Sequence, residues 1–196
     1  MPLEQDTGMA SWMDLLRKEM RLEAQAKSTA VKADGRSAAV IHDEALKLHK
    51  QKRHAEAFAL YQAVYSAPGP MLPRYYGNAS YACSQLGMRS WAMRLAREGL
   101  RLKPDHDRSA YSYAQEAFHF GDYEAAKIWS KASIAAGFTH SDVYKVLGAA
   151  SMETGDRQAA AACFWRPQQY DKSETWVMRN IEKLGPRNFW QPIPDL

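Results

Sequence analysis

Phe120-Gly121-Asp122-Tyr123-Glu124-Ala125-Ala126 is one of four versions of a single local phrase. The others are Lys52-Arg53-His54-Ala55-Glu56-Ala57, Leu86-Gly87-Met88-Arg89-Ser90-Trp91-Ala92 and Thr154-Gly155-Asp156-Arg157-Gln158-Ala159-Ala160. Their final alanines stand 35, 34 and 34 residues apart, at 57, 92, 126 and 160. A fixed period near 34 is the mark of a stacked helix–turn–helix array. Such arrays present an extended surface, which favours binding over catalysis as the function.

The chemistry of the phrase explains the period. Gly tolerates the left-handed conformation that ends one helix, and Asp can cap the start of the next. A small side chain one turn later lets the second helix lie close against the first. Ala92, Ala126 and Ala160 are therefore read as packing residues. The first unit has Gln51-Lys52 where the others have a Gly turn, so its turn geometry does not follow from the pattern.

Four units in this register resemble the tetratricopeptide repeat. The second is the clearest: Tyr75-Tyr76-Gly77-Asn78-Ala79-Ser80-Tyr81 leads to Leu86-Gly87, then Ala92, Ala96 and Gly99, and closes on Leu102-Lys103-Pro104. The third has Tyr113-Ala114, Phe120-Gly121-Asp122-Tyr123 and Ala126; the fourth has Tyr144, Leu147-Gly148, Thr154-Gly155-Asp156, Ala160 and Phe164. The first runs from Ala45 and Leu48 through His54, Ala57, Tyr61 and Val64 to Pro68. The resemblance implies an all-α, right-handed α-solenoid over residues 38–172, with units at 38–70, 73–106, 107–140 and 141–172. Residues 1–37 are read as an N-terminal helix and linker, and 173–196 as a C-terminal capping helix with a proline-containing tail.

Composition agrees with this reading. Alanine and long straight-chain residues dominate, no run alternates as a strand would, and 196 residues suffice for one array in which each repeat packs on its neighbours. No stretch approaches the roughly 18 apolar residues of a membrane span. The start, Met-Pro-Leu-Glu-Gln-Asp, lacks the basic and apolar regions of a secretory signal, so a cytoplasmic location is expected. Cys83 and Cys163 fall in non-adjacent repeats and are expected to be reduced, buried thiols.

The flanks carry their own expectations. Residues 9–24 place Trp12, Leu16 and Met20 on one side of a helix, which can cap the first repeat or join two copies as a homodimer. Residues 25–37 read as a linker or solvated extension. Ser173 can cap a last helix bearing Trp176, Val177, Ile181 and Leu184, ended by Gly185-Pro186. Phe189 and Trp190, in a tail interrupted by Pro192 and Pro194, are expected to fold back onto the array.

Signals of catalysis are weak. The six histidines show no spacing that puts two on one helical turn, and none forms a Cys/His cluster of zinc-ligand type. There is no phosphate-binding loop and no nucleophile elbow. Asp105-His106-Asp107 falls in the turn after Pro104, a capping context. No enzyme activity, metal or cofactor is expected.

Recognition is the stronger theme. In this repeat family the first helix of each pair lines the concave face. Projection of the register places Arg74, Asn78, Tyr81 and Gln85 there from the second repeat, and Arg108, Tyr111, Ser112, Gln115, Phe118 and His119 from the third. Lys145, Ala149 and Met152 follow from the fourth, and no acid appears before Asp142 and Glu153. Such a face can donate hydrogen bonds to an extended peptide and hold an apolar side chain against rings. Arg74 and Arg108 could clamp a carboxylate.

The family's best-known ligand is the acidic C-terminus of heat-shock chaperones, held by a clamp of lysines, asparagines and an arginine. Asn78 matches a clamp asparagine and Arg108 stands in place of a clamp lysine. His42, Leu46 and Ser112 fill the other positions, so the clamp is incomplete. The expected function is thus an adaptor or scaffold binding another protein's extended or C-terminal segment in the groove. A small dedicated chaperone similar to the tetratricopeptide chaperones of type III secretion is the second reading. RNA binding, as in the pentatricopeptide array, is the third. The Leu-Lys-Pro and Gly-Asp-Tyr features and a net charge of only +4 speak against it.

Overall fold

A computed structural model describes residues 20–21, 34–164 and 175–185. The expectations for the 9–24 helix beyond Met20 and Arg21, for Ser173 and for the aromatic tail lie outside the described residues. Within them the chain is all-helical. Eight helices form four pairs: α1 (Ala38–Lys50) with α2 (His54–Val64), α3 (Pro73–Leu86) with α4 (Arg89–Leu102), α5 (Asp107–His119) with α6 (Tyr123–Ala135), and α7 (Ser141–Glu153) with α8 (Arg157–Phe164). A last helix, α9 (Thr175–Leu184), packs on α8.

The turn inside each pair is the same hydrogen-bonded device. Arg53 N donates to Leu48 O, Met88 N to Cys83 O, Asp122 N to Ala117 O and Asp156 N to Ser151 O, all at 2.8–3.0 Å. Each closes a left-handed residue: Gly87, Gly121 and Gly155 in three units (φ 77–80°), and Lys52 (φ 62°) in the first. Lys52 thus adopts the glycine conformation despite its side chain. The first unit keeps the turn of the other three without their glycine.

Capping follows the sequence in part. Asp122 and Asp156 accept from Ala125 N and Ala159 N, each at 3.0 Å, as expected of an Asp at a helix start. In the Asp105-His106-Asp107 turn, however, His106 is the cap. Its Nδ1 accepts from Ser109 N at 3.2 Å and contacts Ser109 Oγ at 2.8 Å.

The four phrase alanines are each fully buried, as packing residues are. Close approach is also built from glycine: a Cβ on Gly148 would stand 2.8–3.0 Å from the Phe164 ring of α8. Two serines tie helices together through carbonyls. Ser80 Oγ donates to Ala92 O at 2.6 Å, and Ser133 Oγ to Asp107 O at 2.7 Å. The core runs along the array between the two helix layers. At its far end Ile181 and Leu184 of α9 cover Ala160, Ala161 and Phe164, and Arg157 Nη2 donates to Lys183 O at 2.7 Å. That is the capping role expected of a last helix. Both cysteines are buried and not joined in a disulfide.

First helices of successive units also touch one another: α1 with α3, α3 with α5, and α5 with α7. The second helices are spaced more widely. The array therefore curves with α1, α3, α5 and α7 on its inner side.

Candidate functional site

The inner side is built from a short polar alphabet on a hydrophobic floor. Helical geometry sets which side chains meet there, because residues three and four apart share a face. On α3 this gives Arg74, Asn78, Tyr81 and Gln85. On α5 it gives Arg108, Tyr111, Ser112 and Gln115.

Arg74 and Gln85 are exposed at opposite ends of α3. Asn78, between them, is half-buried, and its Nδ2 lies 2.9 Å from Nε2 of His42 on α1. Tyr81 is half-buried between His49 and Tyr111, with ring centres 5.0 and 6.3 Å away. Arg108 crosses from α5 over two rings, 5.3 Å from the centre of Phe138 and 6.0 Å from that of Tyr81. Among the described residues no carboxylate pairs with its guanidinium. Its positive charge also reaches His49, Tyr61 and Tyr111. Lys145 of α7, by contrast, is already engaged with Asp142 at 2.9 Å.

Several projected groove residues are not accessible. Tyr111 is 3% exposed and stacks on Phe138 with ring centres 4.9 Å apart. Phe138 comes from the segment before α7 and closes over the inner face of α5. Ser112 is 1% exposed, and Ala149 is likewise buried. Phe118 is half-buried and packs with Tyr123, Ala117, Ala126 and Ala150. These residues form the floor and core of the groove. Gln115 keeps a half-buried place, with Oε1 enclosed and without a hydrogen-bond partner. The hydroxyls of Ser112 and Tyr61 are likewise buried and unpartnered.

Histidines were the main omission of the sequence reading. Spacing along one helix gave no pair, yet the α1–α2 turn brings Nδ1 of His49 within 3.4 Å of Nδ1 of His54. His42, 3% exposed, lies against Tyr75 and Tyr61 with ring centres 4.6 and 5.7 Å away. Burial holds all three below the ordinary histidine value; His49 is pushed down to about 4, with the neighbouring His54 and Arg108 adding to the effect. They are neutral at pH 7. A signal was available: His42, His49 and His54 all sit in the first repeat, and none of the equivalent positions in the other units is a histidine. Among the described residues no group of three metal-ligating side chains converges, and no helix is long and apolar enough to cross a membrane.

Comparison with known proteins fits this architecture. No family model matches the sequence, and no curated protein matches it. Among solved structures, residues 41 to the end of MamA from Desulfovibrio magneticus RS-1 align with TM-score 0.57 and 15% identity, over 76% of this chain and 94% of that one. YrrB, described as a TPR protein with an unusual peptide-binding site, aligns with TM-score 0.57 and 13% identity, over 89% and 87%. The chain has the tetratricopeptide-repeat fold.

Proposed function

We propose that the protein is an interaction module that holds an extended or C-terminal segment of another protein across the inner faces of α3 and α5. The observation that carries this reading is Arg108. Its guanidinium is half-buried on aromatic faces, presents a fork of donors, and has no carboxylate partner among the described residues. A planar cation placed this way suits an acidic group of a partner, with Arg74 as a second, exposed cation. Asn78 on α3 and Gln115 on α5 add half-buried amides to the same inner faces.

Peptide capture agrees with the chemistry of the inner layer, which combines neutral imidazoles, amides and rings. The test is an affinity pull-down comparing the wild type with Arg108→Glu, followed by identification of the retained species. A protein kept by the wild type and lost from the folded variant supports the groove. Equal retention by both places the site elsewhere, and recovery of RNA in place of protein contradicts the reading.

A further inference from the structure

The polarity of one groove position is set by a chain of hydrogen bonds through the buried His42 ring, and this inference rests on the groove reading above. Asp43 Oδ1 lies 3.4 Å from His42 Nδ1, and His42 Nε2 lies 2.9 Å from Asn78 Nδ2. An ionised carboxylate only accepts, so the His42 proton sits on Nδ1. Neutral Nε2 is then bare and must accept, so Asn78 turns its NH2 inward. Its Oδ1 is left facing away from the histidine. That oxygen has no partner among the described residues, and it is not among their enclosed, unsatisfied atoms.

We propose that His42 decides which end of the Asn78 amide the groove offers, an acceptor while the ring is neutral and a donor once it is protonated. A protonated Nε2 repels the NH2 group. The amide, whose two ends have nearly the same shape, turns over to give Nε2–H its oxygen and leaves Nδ2 outward. The neutral state therefore fits a partner N–H at this position, a backbone amide or a lysine, and disfavours a carboxylate there. That is the reverse of an asparagine that donates to an acidic terminus.

The groups facing the ring are Asp43 from α1, Tyr61 from α2, and Arg74 and Tyr75 from α3. Burial and the Arg74 charge oppose protonation of His42, while Asp43 favours it. The net direction is down, so the acceptor state prevails at neutral pH. The transition follows on acidification.

The test uses the full chain labelled with nitrogen-15. Imidazole correlations at neutral pH are expected to show His42 as the Nδ1–H form, with a coupling across the hydrogen bond to Asn78 Nδ2 that vanishes when the ring titrates. An Nε2–H form at neutral pH overturns the proposal. In parallel, peptides are selected by the wild type from a displayed random library at neutral pH. Their affinity is expected to fall roughly tenfold across the His42 titration, a mismatch of about one hydrogen bond, and much less in His42→Gln.

Equal losses in both proteins would assign the effect to His49 and His54 and overturn the proposal. Should His42→Gln unfold, Asp43→Asn replaces it. That exposed change replaces an obligate acceptor with an amide that can also donate, so the share of the Nε2–H form is expected to rise at neutral pH and peptide affinity to fall with it; a rise in the Nε2–H form with no loss of affinity overturns the proposal. Failure to select any peptide counts against the groove itself, whereas the spectrum reads the His42–Asn78 relation without a ligand.

Discussion

The Arg108 guanidinium rests 5.3 Å from the centre of the Phe138 ring, joining the start of α5 to the segment that precedes α7. A partly desolvated cation–π contact of this kind contributes about 1 kcal/mol, so it helps place the arginine but does not hold the fold. Arg108→Glu is expected to lower stability by no more than about 1–2 kcal/mol while abolishing capture of an acidic partner group. Arg108→Lys should keep the charge but lose the planar fork, giving intermediate binding. Thermal melting together with a binding assay checks both. Unfolding of the glutamate variant would mean that Arg108 belongs to the core.

Lys52 occupies a left-handed conformation at φ 62° where the equivalent positions are glycines. A side chain there costs roughly 1–2 kcal/mol, whereas Lys52→Gly relieves the strain at some cost in chain entropy. The variant is expected to be more stable by about 0.5–1 kcal/mol, read as a higher midpoint in urea. A lower midpoint would show that the lysine side chain makes a compensating contact.

Helix packing makes the sign of a glycine change position-specific. In an open helix Gly→Ala stabilises by roughly 0.5–1 kcal/mol. At Gly148 the new methyl would meet the Phe164 ring at 2.8–3.0 Å, so Gly148→Ala is expected to destabilise by about 1–3 kcal/mol. Ala126→Leu, at a fully buried alanine, should cost a similar amount by overpacking. Differential scanning calorimetry decides. An unchanged melting temperature for Ala126→Leu would contradict the assigned register.

The array was legible because its physics is local and periodic. A small residue recurs at the same offset after each turn, and in three of the four units a glycine marks the turn itself, whereas Lys52 gives no such sign. The groove was only partly legible. Asn78 and Tyr81 share a face of α3 by helical period alone, and the packing of α5 on α3 sets Arg108 over the Tyr81 ring. Projection misplaced Tyr111 because Phe138, 27 residues further on, folds over it, and no local pattern encodes that contact. The His49–His54 approach was missed for a related reason. It is made around a turn, where spacing along one helix does not apply.

Acid should weaken the fold through these same histidines. Burial pushes His49 down to about 4 and holds His42, His54 and His106 below the ordinary value near 6.5. Between about 6.5 and 4 the unfolded chain therefore binds more protons at position 49 than the folded one, so stability rises with pH through that window. The contribution is fully present above about pH 6.5 and is lost as the pH falls toward the folded value. Urea midpoints measured from pH 7.5 down to 5 are expected to decline, most steeply below about 6.5. His49→Gln, which leaves the helix pattern intact but cannot titrate, should shallow that decline while His54 and His42 retain part of it. A midpoint flat across the range, or a decline equally steep in the variant, would show that His49 is as easily protonated in the folded chain as in the unfolded one.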